Sequence, residues 1–306
     1  MDHRGPQRVL LAGDTHRNGE WVGTLCKLAS RHGCDTILQL GDFGYWPHTD
    51  EGLRFLEQVD GHAQRNGINC LYWIDGNHEN HEMLAALKAD GDGFVTIGNR
   101  CRYAPRGHRW RWGQVDFGAL GGAFSIDHHY RVEGVSWWPN EMPTDADVAK
   151  LGDAPLDVLL CHDTPEGAPI RQFELRPRDE MLCSLVRGRI LQAVKATRPQ
   201  LVVHGHWHRR TSSELSWPTD CDGELSWAST QVEGLAADKQ GDHRAWAVLE
   251  VNPLKFIDGH AVSEVDPRKF IDGHAVSEVD PRKLIDGHAV SEVDPRKFID
   301  GRAEVT

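Results

Sequence analysis

Apolar positions in this chain gather in short runs, and five of the runs end in carboxylate, amide or imidazole side chains. Val9-Leu10-Leu11-Ala12-Gly13 leads into Asp14-Thr15-His16, and Thr36-Ile37-Leu38-Gln39-Leu40-Gly41 into Asp42. The INCLYWI stretch over residues 68–74 leads to Gly76-Asn77-His78-Glu79. Asp157-Val158-Leu159-Leu160-Cys161 leads into His162, and Leu201-Val202-Val203 into His204-Gly205-His206-Trp207-His208. Continuous apolar runs this short predict strands buried on both faces of an α/β sheet. Ligands of open α/β sheets collect at the carboxyl ends of the strands. The five run ends are therefore expected to meet in space.

Helical periodicity fills the intervals. Trp21, Leu25 and Leu28 predict a helix over 19–32, stopped by Gly33. Leu53, Phe55, Leu56 and Val59 predict a second, ending near Asn66-Gly67, and residues 80–89 a third. Residues 100–124 alternate like strands, which suggests a second, more antiparallel sheet. Residues 180–196 carry Leu182, Leu185, Val186, Ile190, Leu191 and Val194 on one helical face, and strands near 224–229 and 245–251 complete the pattern. Beyond residue 255 the character changes. FIDGHAVSEVDPRK occupies 256–269 and 270–283, returns at 284–297 with Leu284 for Phe, and a partial copy ends the chain. Each copy holds a proline and an Asp-Gly turn signal, which oppose a continuous helix. The expected organisation is one catalytic domain over 1–255 and a tandem-repeat tail over 256–306.

The formal net charge is −12; the tail holds 11 acidic and 7 basic residues, a balance of −4, which leaves −8 for the domain. That balance argues against binding long nucleic acid, whose affinity comes from clustered Lys and Arg. A local site can still attract a small anion such as a nucleotide. The cysteine count is seven, with no CxxC pair, and four lie in or beside apolar runs. Buried free thiols in a reducing compartment are the simpler reading. No run reaches transmembrane length and no secretory segment precedes the first strand, so a cytoplasmic enzyme without membrane contact is expected.

The order DxH, GD, GNHE, H, GHxH resembles the calcineurin-like metallophosphoesterase superfamily, over about residues 9–208. The resemblance implies an α/β fold of two mixed β-sheets packed face to face, with flanking helices and two metal ions at one edge. It implies that Asp42 bridges the ions, that Asp14, His16 and His208 complete the first site, and that Asn77, His162 and His206 complete the second. His78 matches the family's non-ligand histidine, which assists the leaving group.

The chemistry requires such a set. A phosphoester resists hydrolysis because its charge repels nucleophiles; two divalent ions about 3.5–4 Å apart acidify a shared water to a bridging hydroxide and neutralise the phosphoryl oxygens. Two ions give +4, two aspartates −2 and the hydroxide −1, which leaves the site at about +1. Donors limited to N and O, with many imidazoles, favour Mn, Fe, Co, Ni or Zn over Cu(I), Mg or Ca, and manganese is the expected ion. Candidate substrate contacts are Asn77 itself, Trp46 for stacking on a base, and His128 and His129 in the loop 127–131. His204 reads as core packing. The RGHRWR run over 106–111 reads as a solvated β-face before a nucleic-acid patch. The expected activity is hydrolysis of phosphodiester bonds in small substrates, cyclic nucleotides included. Phosphomonoesterase or nuclease action on the same site are the alternatives within enzymes. A non-catalytic metal-binding scaffold is the alternative of another class, and the repeat leaves room for a homo-oligomer.

Overall fold

The computed structural model describes residues 5–170, 175–221, 224–238 and 242–259. The chain first builds one sheet. Strands β1 (Arg8–Ala12), β2 (Thr36–Gln39) and β3 (Cys70–Trp73) lie parallel, linked by helices α1 (Gly19–Arg31) and α2 (Asp50–Arg65). A short α3 (His81–Ala85) leads to β4 (Val95–Thr96) and β5 (Cys101–Tyr103), which close that edge. The second sheet follows, with β6 (Arg109–Trp112), β7 (Val115–Leu120), α4 (Asp145–Leu151), β8 (Val158–Cys161), α5 (Pro177–Thr197), β9 (Leu201–His204), β10 (Thr211–Cys221) and β11 (Glu224–Gly234). Strand β12 (Trp246–Val251) then returns to pair antiparallel with β1, and β13 (Leu254–Asp258) lies outside it. The sheet orders are β13-β12-β1-β2-β3-β5-β4 and β10-β11-β9-β8-β7-β6.

Side-chain alternation divides each strand between two layers. Val9 and Leu11 of β1 face the second sheet, where they meet Phe117, Val158, Leu160 and Val203. Leu10 and Ala12 face outward, onto Trp21, Leu25, Phe55 and Val59 of α1 and α2. On the far side Leu159, Cys161 and Val202 pack under Val186, Ile190 and Val194 of α5. Burial on both faces explains why these strands read as unbroken apolar runs. The helices start where side chains satisfy the free N–H groups: Asn18 accepts from Trp21 N and Thr49 from Gly52 N.

The second sheet differs from the antiparallel expectation. β7, β8, β9 and β11 run parallel, and only β6 and β10 pair antiparallel. β5, read from sequence with that sheet, pairs with β3 in the first. The third helix is one turn and a half, ending at Ala85 rather than near residue 89. The RGHRWR run is a half-solvated face, with Arg111 exposed, and its arginines are engaged by acceptors of the protein rather than laid out as a basic track. Arg106 is inserted on Asp75, with Nε donating to Oδ2 at 2.7 Å, and its two amino groups donate to the carbonyls of Asn140, Glu141 and Met142. Arg109 donates to the carbonyls of Leu151, Ala154 and Pro155, and Arg111 pairs with Asp116. The boundary expected at 255 falls inside β13; the repeats beyond Gly259 lie outside the described residues.

Cys26, Cys34, Cys101, Cys161 and Cys183 are buried free thiols, and Cys70 is a half-buried one. Among the described residues, no helix is long and apolar enough to cross a membrane.

The Arg106–Asp75 pair joins the segment before Asn77 to the chain over 140–142. Its side chains are 11% and 1% exposed. Removing one member of a buried pair strands the other charge, at a cost of about 3–5 kcal/mol. Arg106→Ala should therefore lower the unfolding free energy by that order, seen as a lower denaturant midpoint at unchanged slope. An unchanged midpoint would mean that the pair contributes nothing to the junction of the two segments.

Candidate metal centre

Each expected ligand stands just past the carboxyl end of a strand: Asp14 and His16 after β1, Asp42 after β2, Asn77 after β3, His162 after β8, and His206 and His208 after β9. The structure brings them into two groups. Asp14, His16, Asp42 and His208 present ligand atoms within 4.8 Å of one another, as do Asp42, His162 and His206, so Asp42 belongs to both. Its oxygens divide between them. Oδ2 lies 3.4 Å from His16 Nε2, and Oδ1 lies 3.4 Å from His162 Nε2. The backbone N–H groups of Asn77 and His78 both donate to Oδ1 at 2.8 Å, which fixes the carboxylate plane. Asn77 Oδ1 stands 3.2 Å from His162 Nε2, at the second group.

The local backbone is bent to make this possible. Among the described residues six non-glycine positions have positive φ, and four of them are His16 (45°), Asp42 (50°), His206 (65°) and His208 (51°). Such conformations cost roughly 1–3 kcal/mol each and persist only where the surroundings impose them. The glycine before a ligand serves close approach. A Cβ at Gly76 would overlap Asp42 Oδ1, and one at Gly205 would overlap Asp14 Oδ1. Trp207, between the two histidines, is pinned by its indole N–H donating to Asp163 Oδ1 at 2.7 Å.

His162 Nδ1 lies 2.7 Å from Leu40 O, a carbonyl of the other sheet. A carbonyl only accepts, so Nδ1 carries the proton and Nε2 faces the site. Behind His16 stands Asp238, with Oδ1 at 3.8 Å from His16 Nδ1; its Oδ2 accepts from Asn18 Nδ2 at 2.7 Å. Asp238 went unnoticed in the sequence although Leu235-Ala236-Ala237 is a sixth apolar run ending in a carboxylate. His204 is buried, with Nδ1 against Gly205 O at 3.0 Å, and enters neither group.

The electrostatics favour positive charge here. Burial alone would raise Asp14, but the contact with His208 and the charges of His162 and His208 bring it down to about 2. Asp42 is held well below the carboxylate range: burial opposes this, and the charges of His78 and His162 prevail. Burial disfavours a charged His162, yet Asp42 and Asp14 push it up to about 10. Asp14 Oδ2 is buried and accepts no hydrogen bond among the described residues, with His208 Nε2 at 3.1 Å. An ionised, buried oxygen without a donor, facing imidazole nitrogens, suits a cation. The donor set, all N and O, fits two divalent transition ions.

His78 is 41% exposed, its Nε2 3.8 Å from Asp42 Oδ2. Burial of the ring and the neighbouring Arg131 bring it down to about 4, against the pull of Asp42. Neither Asp75 nor Glu79, the carboxylates on either side of the Gly76-Asn77-His78 turn, hydrogen-bonds the His78 ring. Asp75 receives Tyr103 and Arg106, and Glu79 accepts from Gly44 N and Gly76 N. The ring instead meets Arg131, whose Nη2 is 3.0 Å from both ring nitrogens and whose Nε and Nη2 donate to Asp127 Oδ2. Arg131 belongs to the loop singled out in the sequence, but the other residues of that loop turn elsewhere. His128 is bound to Ser125 O and packs between Phe124 and Trp137; His129 meets Arg176. Trp46 donates its indole N–H to His78 O at 2.7 Å, and its ring lies 5.6 Å from that of Trp138.

No curated protein matches the chain. Among solved structures, similar chains include a dimetal phosphatase from Danio rerio, 13% identical at a TM-score of 0.47, over 83% of this chain and 97% of that one. A protein of Thermus thermophilus is also similar, 13% identical at a TM-score of 0.44, over 83% of this chain and 99% of that one. Residues 7–210 match the family described as calcineurin-like phosphoesterase. That span takes in Asp14, His16, Asp42, Asn77, His78, His162, His206 and His208. The chain belongs to the calcineurin-like phosphoesterases, a family of metal-dependent phosphoester hydrolases.

Proposed function

We propose that the protein hydrolyses phosphodiester bonds of small substrates, nucleotides and cyclic nucleotides among them. The observation that carries this reading is Asp42, whose two oxygens face two separate ligand groups and are fixed there by two backbone N–H groups. Asp14, His16 and His208 hold the first ion with it, and Asn77, His162 and His206 the second. Manganese suits these donors, as do iron, cobalt, nickel and zinc. When bound, the ion pair supplies charge neutralisation at the phosphoryl oxygens and an acidified water for attack.

The chain's own residues do the rest. His78 lies beside the shared carboxylate and outside both ligand groups, in place to hydrogen-bond the leaving oxygen and stabilise charge developing there. Arg131 presents its remaining donors next to that ring; among the described residues Nη1 has no acceptor, which leaves it for a phosphoryl oxygen. Because Asp127 already neutralises this guanidinium, the site with both ions stays near +1, roughly the charge that a singly ionised diester matches better than a doubly ionised monoester. The absence of a free basic track over Arg106, Arg109 and Arg111 favours small substrates over long nucleic acid. The scaffold alternative is disfavoured because the ligand set and His78 are complete.

The deciding experiment is a hydrolysis panel on metal-depleted protein, with a generic diester, a monoester, cyclic mononucleotides and single-stranded DNA, each metal added back in turn. Diester turnover should exceed the others and return best with Mn²⁺; a monoester turned over faster than every diester would overturn the preference. Asp42→Ala should abolish turnover and leave at most one ion per chain. Two ions and near-normal turnover in that variant would remove Asp42 from the bridge. His78→Ala should keep both ions yet lose roughly 10²–10⁴-fold in rate on a poor leaving group. The loss should shrink on a good leaving group; an equal loss on both would contradict the leaving-group role.

A further inference from the structure

An asparagine amide is nearly symmetric in shape but not in chemistry. Only its oxygen can face a cation, so a site that uses Asn77 must decide which end points inward. In this chain the deciding contacts come from the segment between β7 and α4. Asn77 Nδ2 donates to Ser125 Oγ at 3.0 Å. Ser125 Oγ donates to Glu141 Oε2 at 2.8 Å, and Ser125 N donates to Glu141 Oε1 at 2.6 Å. Glu141, Ser125 and Asn77 are 0%, 1% and 4% exposed. A hydroxyl has one proton. Once a carboxylate takes it, Oγ can only accept, and only the NH₂ end of Asn77 satisfies it.

The mechanism above uses neither Ser125 nor Glu141, and a buried carboxylate is retained at a cost. Burial pushes Glu141 up to about 7, with the Ser125 N–H and Oγ–H pulling the other way. Its backbone is fixed as well, since Arg106 donates to Glu141 O while its Nε holds Asp75, two residues before Asn77. One guanidinium thus sets the spacing between the two ends of the relay. We propose that Glu141 is a positioning residue that acts through Ser125 to lock the Asn77 amide with Oδ1 toward the second ion. The inference rests on the two-ion reading of the site.

The test is a calorimetric titration of metal-depleted full-length protein with Mn²⁺ alone, at about pH 8, where Glu141 is ionised. Glu141→Gln keeps the shape but offers an NH₂ to Ser125 Oγ, which frees the serine proton to turn the Asn77 amide around. Ser125→Ala removes the relay atom. Wild-type protein should bind two ions. Each variant should bind the first as tightly and the second roughly 10–100-fold more weakly, the usual effect of an outer partner of a ligand. The double variant should lose no more than the single ones, since the residues act as one unit. Melting curves identify a variant that has unfolded, and the isosteric Glu141→Gln then carries the test. Two ions bound with wild-type affinity in a folded variant, or an equal loss at both sites, would overturn the relay. Failure of the wild-type protein to bind two ions would instead overturn the two-ion reading.

Discussion

The contact between His162 and Leu40 O governs the site. It spans the two sheets, because Leu40 follows β2 in one and His162 follows β8 in the other. The bond fixes the imidazole in a single tautomer and aims Nε2 at Asp42 and Asn77. Each ligand group draws residues from both sheets, so everything that ties the sheets face to face also sets the spacing within each group. The inter-sheet core of Val9, Leu11, Phe117, Val158, Leu160 and Val203 is buried to 5% exposure or less, and it acts as the spacer. A close-packed interior does not stretch continuously, so strand-end ligands held by such a core keep a fixed separation.

That rigidity offsets a local cost. Four ligand positions carry left-handed backbone, and Asp14 Oδ2 lies buried without a donor among the described residues. Metal-free, the carboxylates are compensated by protons on His16 and His162: both are raised, against the burial penalty, by hydrogen bonds and charge from the aspartates. The strain and the charge point the same way. A bound cation would neutralise the buried carboxylates, and the left-handed backbone turns the ligand side chains toward the same point.

Much of this was legible in the sequence, for a definite reason. A buried parallel strand reads as a continuous apolar run, and a ligand at its end interrupts the run with a residue type that packing alone would reject. Glycines before Asp42, Asn77 and His206 sharpen the signal, because none of the three positions has room for a Cβ: His162 crowds Gly41, Asp42 crowds Gly76 and Asp14 crowds Gly205. What escaped has no such period. β10 carries Ser212, Ser213, Glu214 and Pro218 because it is an edge strand, where a missing N–H costs no ladder bond and polar side chains guard the edge. Arg106 and Arg109 read as surface because their acceptors, Asp75 and the carbonyls of 140–142 and of Leu151, Ala154 and Pro155, are brought in by tertiary contact. Arg131, Ser125 and Glu141 stand in irregular chain, where neither helix nor strand periodicity says which way a side chain turns.

The same distinction separates the two halves of the function. Ligands at strand ends are set by sheet geometry, and a family can keep them while everything around them changes. In the proposed reading the substrate side rests on the segment between β7 and α4, which sets Arg131 against His78 and Ser125 against Asn77. That segment also displays Ile126, Tyr130, Val132 and Val135 to solvent, at 45%, 75%, 60% and 63% exposure. Those exposed side chains flank Arg131, whereas Ser125 near the start of the segment is tied to Glu141 near its end, and Arg106 holds the Glu141 carbonyl. On the proposed reading, a substitution among those exposed side chains would act on the approach to His78 and Arg131, whereas one at Ser125 or Glu141 would act on Asn77. One segment thus meets the candidate site at two separate points, Arg131 on its exposed turn and Ser125 at its buried start, so the two contacts can be altered independently.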